Sequence, residues 1–175
     1  MKVTYVMMLL LLAFAGAGAK GFEKLGKDHW DAEFVYLETG EISDLRAFQG
    51  QYIHIHFWDF KHRNDIAMLD SVYCSLVRDD FFLVPIIRTR DVKRVKAFVD
   101  RYDFVMPVFV DVTGELTRQF GVKKVPCDFV IAPDGSVVLK HQGEVDWPSI
   151  ALRFKIFPKR KEQKKRQRNA TTNPI

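Results

Sequence analysis

Three short runs of strand-forming residues, Tyr52-Ile53-His54-Ile55-His56-Phe57-Trp58, residues 81–87 and Val108-Phe109-Val110, alternate with stretches whose apolar residues recur at helical spacing. Such alternation constrains the chain to an α/β layered domain, in which helices cover a sheet whose inner strands are apolar on both faces. Between the first two runs, Ile66, Leu69, Val72, Tyr73, Leu76 and Val77 mark a helix for which Asn64 or Asp65 is a suitable N-cap. After the second run, Asp91 caps a helix carrying Val92, Val95, Phe98, Val99 and Tyr102 on one face.

The flanking segments complete the pattern. Glu33-Phe34-Val35-Tyr36-Leu37 reads as a short strand, and Ser43-Asp44-Leu45-Arg46 begins a helical turn ending near Gly50. A short helix around Leu116 to Phe120 leads through Gly121 to Val125-Pro126. Asp128-Phe129-Val130-Ile131, the turn Pro133-Asp134-Gly135-Ser136 and Val137 to Lys140 then form a hairpin. A last helix starts at Asp146 and ends before Pro158, since proline cannot continue it.

The ends of the chain carry different information. Lys2 precedes an apolar run from Val3 to Ala15 that closes on Ala17-Gly18-Ala19, the pattern of a secretory signal peptide. An uncleaved anchor is the alternative, although the run only approaches the ~17–25 residues needed to span a bilayer. Residues 1–19 are therefore expected to direct export to the periplasm or the exterior, with 20–31 as a polar lead-in, 32–157 as the domain and 158–175 as a basic tail. Within residues 153–168 nine Lys/Arg stand against Glu162 alone, a charge of +8, so the rest of the chain carries −3 of the +5 total. A basic stripe across the domain is thus absent, and a nucleic-acid module is not supported. The tail is expected to be solvated, with an anionic membrane surface or an acidic partner as the alternative. Asn169-Ala170-Thr171 matches a glycosylation sequon without indicating a host that would use it.

The order of elements resembles the thioredoxin superfamily, and within it the exported TlpA-like and cytochrome c maturation thioredoxins. The resemblance rests on Ser43-Asp44-Leu45-Arg46-Ala47-Phe48-Gln49-Gly50, Phe57-Trp58, Pro107-Val108 with Asp111, Gly121-Val122-Lys123-Lys124-Val125-Pro126, and Asp128-Phe129-Val130-Ile131 with Asp134-Gly135. It implies a three-layer fold, a central mixed sheet flanked by helices, with Pro126 as the cis-proline of the family. It also implies a Cys-x-x-Cys pair opening the first long helix, three residues after Phe-Trp. Those four positions fall on His62, Arg63, Asn64 and Asp65. Where relatives carry a carboxylate and a proline just inside that helix, this chain has Met68 and Asp70.

The departure removes the family's chemistry. Dithiol exchange needs a thiolate activated at a helix N-terminus and a second thiol to resolve the mixed disulfide. The chain has two cysteines, Cys74 and Cys127, too few for a disulfide scaffold. Cys74 lies nine residues past Asp65, ~13 Å along a helix, whereas a disulfide requires Cα atoms within ~7 Å; a Cys74–Cys127 bond is not expected. Cys127 follows Pro126, and the resemblance implies that its side chain lies near His62. A small buried residue is the favoured reading, ahead of a mixed-disulfide thiol and of a metal contact made with His62 and Asp65. His54 and His56 share one strand face at a spacing that can chelate a metal, but on a central strand they read as satisfied core histidines. No pattern attaches to His29 or Trp30.

The expectation is a non-catalytic thioredoxin-like module with no cofactor and no metal. It would bind a polypeptide or an envelope assembly partner through Trp58, His62, Val125, Pro126 and Cys127, by strand-like hydrogen bonding at the Pro126 loop. The alternative is a single-cysteine thiol-disulfide oxidoreductase or redox sensor built on Cys127.

Overall fold

The computed structural model of the protein describes residues 24–76 and 81–144. The segment expected to be a signal peptide, the helix expected from Asp146 and the basic tail lie outside them. The β-rich runs become strands of one seven-stranded sheet: β1 (Phe34–Tyr36), β2 (Ile42–Ser43), β3 (Tyr52–Trp58), β4 (Phe81–Arg88), β5 (Phe109–Asp111), β6 (Cys127–Ile131) and β7 (Val137–Gln142). Their order is β2-β1-β5-β4-β3-β6-β7. β3, β4 and β5 run parallel, while β1 and β6 join them antiparallel. This is the mixed, thioredoxin-like α/β sheet expected from the sequence.

Among the described residues, four α-helices accompany the sheet: α1 (Lys27–Trp30), α2 (Arg63–Leu76), α3 (Val92–Tyr102) and α4 (Glu115–Gln119). Two cores lie on opposite faces. One joins Ile53, Ile55 and Phe57 of β3 to Leu45, Phe48, Leu116, Phe120 and Phe129; the other joins Trp58 to Ile66 and Leu69 of α2 and Val95 of α3. Alternation along β3 thus sends odd-numbered residues to the first face and even-numbered ones to the second. Both faces are covered, which is why β3 is buried from Ile53 to Trp58.

Local signals explain the element ends. Asp44 accepts from the Arg46 N–H at the 3-10 turn Leu45–Phe48, and Asp91 accepts from the Arg94 N–H at the start of α3. The loop into β5 is held by Asp70, whose Oδ1 accepts from the N–H groups of Val105 and Met106 at 3.0 and 2.9 Å. Buried Asp111 accepts from both the N–H and the hydroxyl of Thr117 in α4. At Gly114, φ is +74° and a Cβ would stand 2.7 Å from Arg88 Nε, so a side chain there would be strained and crowded.

Two expectations about the edges change. Residues 24–31 are not merely a lead-in: Leu25 is buried in the first core and α1 packs Trp30 against it. Neither Asn64 nor Asp65 caps α2, which is entered through a 3-10 turn, Phe60–His62, whose N-cap is Asp59. Asp59 Oδ1 accepts from the N–H groups of Lys61 and His62 at 2.8 and 3.2 Å.

Candidate functional site

The antiparallel register of β3 and β6 sets Phe57 opposite Cys127 and His56 opposite Asp128. The segment that leaves β3 and the segment that enters β6 therefore emerge at the same end of the sheet. The first carries Asp59 and the 3-10 turn into α2. The second ends in the Val125–Pro126 peptide bond, which is cis.

His62 sits at the mouth of this end, partly exposed, with Nδ1 2.7 Å from Asp59 Oδ1. Asp59 thus caps the turn and holds the imidazole together. Arg63 and Asn64 are exposed, whereas Asp65 turns inward at 4 % exposure. Its Oδ2 lies 3.1 Å from His56 Nε2, at ion-pair distance though off the alignment of a good hydrogen bond. On its other side His56 Nδ1 is 2.7 Å from Asp128 Oδ1, an oxygen that His54 Nε2 also reaches at 2.9 Å. A buried chain, Asp65, His56, Asp128, His54, therefore runs from the first turn of α2 across β3 to β6.

Its electrostatics follow from its burial. Loss of water pushes the His56 imidazolium down, but the Asp128 carboxylate, assisted by hydrogen bonds to Asp128 and Asp65, more than offsets this and holds the group up at about 9. Burial raises Asp128, and the positive His56 together with the hydrogen bonds from both histidines brings its carboxyl net below the ordinary value. His54 and His56 are thus partnered core histidines, as their place on a central strand implies.

Cys127 is a free, buried thiol, and it faces away from this chain. It belongs with Phe57, Phe120 and Phe129 to the first core, whereas Asp128, one residue on, turns to the face covered by α2. The expected approach of Cys127 to His62 is overturned by that alternation, and with it a metal contact built from His62, Asp65 and Cys127. Burial, then the adjacent Asp128 charge, pushes its thiol up to about 11. Such a thiol is a poor nucleophile at neutral pH. The Cys74 side chain lies outside the described residues.

Trp58 is likewise withdrawn from any partner. It is 1 % exposed and packs its ring against Phe98 and Phe60 in the second core. Pro126 is buried as well, so of the residues expected to meet a partner only His62 and Val125 offer side-chain surface.

Comparison with known proteins places this arrangement. The family model described as "AhpC/TSA family" matches residues 26–140. The chain belongs to the AhpC/TSA family. Among its AhpC/TSA-like relatives is the thiol-disulfide oxidoreductase ResA of Bacillus cereus (strain ATCC 10987 / NRS 248), 24% identical over 159 residues, 82% of this chain and 91% of ResA. Among solved structures, a secreted Mycobacterium tuberculosis disulfide oxidoreductase homologous to E. coli DsbE superposes with a TM-score of 0.62 at 17% identity, covering 73% of this chain and 97% of that one. The exposed lipoprotein thioredoxin Etrx1 of Streptococcus pneumoniae gives 0.61 at 22% identity, over 71% and 98%. At these identities the structural likenesses establish the fold of this AhpC/TSA member.

The member of this site that sequence reasoning missed is Asp128. Its signal was present: a carboxylate inside an otherwise apolar strand must find a partner, and His54-x-His56 on the neighbouring strand supplied two.

Proposed function

We propose that this chain is an exported, TlpA-like thioredoxin module that binds an extended polypeptide and carries out no dithiol exchange. The observation that carries the reading is the content of the helix-opening positions. His62 and Asp65 stand where the thioredoxin pattern has two sulfurs, and the one described thiol, Cys127, is buried on the opposite sheet face. Without an attacking and a resolving sulfur the exchange cycle has no first or second step.

Support for binding comes from the loop before β6. Among the described residues, neither the N–H nor the C=O of Val125 enters a backbone hydrogen bond, which leaves both for a strand-like segment of a partner. Lys61, Arg63, Lys123 and Lys124 are exposed on the two segments that share this end of the sheet. Four cations around an open backbone edge suit an acidic peptide and speed its encounter at low salt. Export is supported by the apolar N-terminal pattern and by two proteins of the same fold, one secreted and one an exposed lipoprotein. Among the described residues no helix is long and apolar enough to cross a membrane.

A second reading, a single-cysteine oxidoreductase or sensor acting through Cys127, is favoured by the thiol-disulfide activity named for ResA. Insulin reduction driven by dithiothreitol separates the two. The binding module accelerates nothing, and Cys127→Ser changes nothing; turnover by the wild type that disappears in Cys127→Ser establishes the second reading instead.

A further inference from the structure

We propose that His54, His56 and the carboxylate of Asp128 bind a divalent transition-metal ion of the zinc type, with Asp65 positioning His56 for it. The three donors come from two adjacent strands and face the same side of the sheet. His54 and His56 are two residues apart on β3, and Asp128 lies opposite His56 on β6. Their relative exposures are 2 %, 0 % and 0 %, and one ligand atom from each lies within 4.8 Å of the others. Two imidazoles and one carboxylate form a donor set suited to zinc or ferrous iron rather than to magnesium or calcium, which prefer oxygen alone.

Asp65 completes the assignment. A metal-ligating histidine usually gives its second ring N–H to a carboxylate, which fixes the tautomer and the ring. His56 offers Nδ1 towards Asp128 and holds Nε2 3.1 Å from Asp65 Oδ2. With the ion on Nδ1, the His56 proton resides on Nε2, 3.1 Å from Asp65 Oδ2, and a small turn of the ring brings it into line. That pairing accounts for a buried carboxylate on α2 that otherwise has no backbone to cap.

Charge and unmet acceptors point the same way. Once both imidazoles are neutral, as ligation requires, they and the two carboxylates sum to −2, which one divalent ion cancels; without the ion a proton on His56 offsets part of that charge. Oδ2 of Asp128 and Oδ1 of Asp65 are buried with no hydrogen-bond donor, a costly state for carboxylate oxygens unless a cation serves them. Ligand atoms around tetrahedral zinc stand roughly 3.3 Å apart, so the contacts of 2.7 and 2.9 Å to Asp128 Oδ1 open by about half an ångström, while the two imidazole nitrogens, within 4.8 Å of each other, draw together around the ion. Buried as it is, such an ion would tie α2 to β3 and β6 and take no part in turnover.

The test uses the full-length protein, purified without metal-affinity steps. Its metal content is measured by mass spectrometry, and the protein is then dialysed against a chelator and titrated with Zn2+ and with Co2+. The proposal expects stoichiometric uptake, visible Co2+ ligand-field bands and a rise in Tm on Zn2+ addition. His54→Gln and Asp128→Asn should abolish the bands, while Asp65→Asn should keep them with affinity weakened roughly 10–100-fold. Folded wild type that takes up neither ion stoichiometrically overturns the site. Cobalt binding unchanged in folded His54→Gln and Asp128→Asn overturns it too. If either variant does not fold, the wild-type stoichiometry and the nitrogen-ligand signature of its cobalt bands decide.

Discussion

Nε2 of His56 and Oδ2 of Asp65 lie 3.1 Å apart, joining the central strand to the first turn of α2. On the proposed reading, this ionic contact takes the place of the second sulfur of the thioredoxin pattern. Removing one member of a buried charged cluster leaves the rest uncompensated, so Asp128→Ala should cost roughly 3–5 kcal/mol. Asp65→Asn keeps an acceptor oxygen and should cost less, about 1–3 kcal/mol. Urea unfolding with both variants checks the order; equal and negligible losses would show that the cluster contributes nothing to stability.

The metal-free protein should show a pH dependence set by the same residues. His56 is held up at about 9 against an ordinary 6.5, so its contribution to stability is complete below about 6.5 and is lost as pH rises through 9. Asp128 has the opposite sign: held below 3.8, it contributes above that value and loses its contribution as pH falls through its depressed folded value. His54, Asp65 and Asp128 are the titratable groups bonded to or facing His56, and Asp128→Asn should flatten the alkaline limb. Tm of chelator-treated protein across the range from acid to pH about 10 measures it; a Tm rising through the alkaline limb would contradict the assignment.

Much of the fold was legible in the chain. The β3 run from Tyr52 to Trp58, the Asp91 cap of α3 and the Pro133-Asp134-Gly135-Ser136 turn each appear where local pattern put them, because strand propensity, capping and turn chemistry act over a few residues. The site was legible only in part. Which face Cys127 takes depends on the register of β6 against β3, and a slip of one residue exchanges the roles of Cys127 and Asp128. That register is set by contacts between strands about seventy residues apart, not by local sequence. The cap of α2 failed for a different reason. Asp59, Asn64 and Asp65 are all suitable caps, and only the need to pair buried His56 draws Asp65 inward.

Restoring sulfur at the helix start should restore chemistry. The double variant His62→Cys/Asp65→Cys places two thiols at the opening of α2, where the helix dipole lowers the first thiol's pKa. It should gain dithiothreitol-dependent insulin reduction, whereas His62→Cys alone should accumulate mixed disulfides without turnover. A folded double variant with no reductase activity would argue that residues 62–65 are not the equivalent of the family's reactive quartet.

The most direct test of the central claim is the rate at which Cys127 is alkylated in the native protein near neutral pH, read at the peptide level by mass spectrometry. Burial against Phe57, Phe120 and Phe129, with a thiol pushed up to about 11, predicts essentially no adduct until denaturant is added, and then rapid, complete labelling. Native labelling as fast as that of an unfolded thiol, or a stable mixed disulfide formed with an oxidised small thiol, would contradict the redox-inert account.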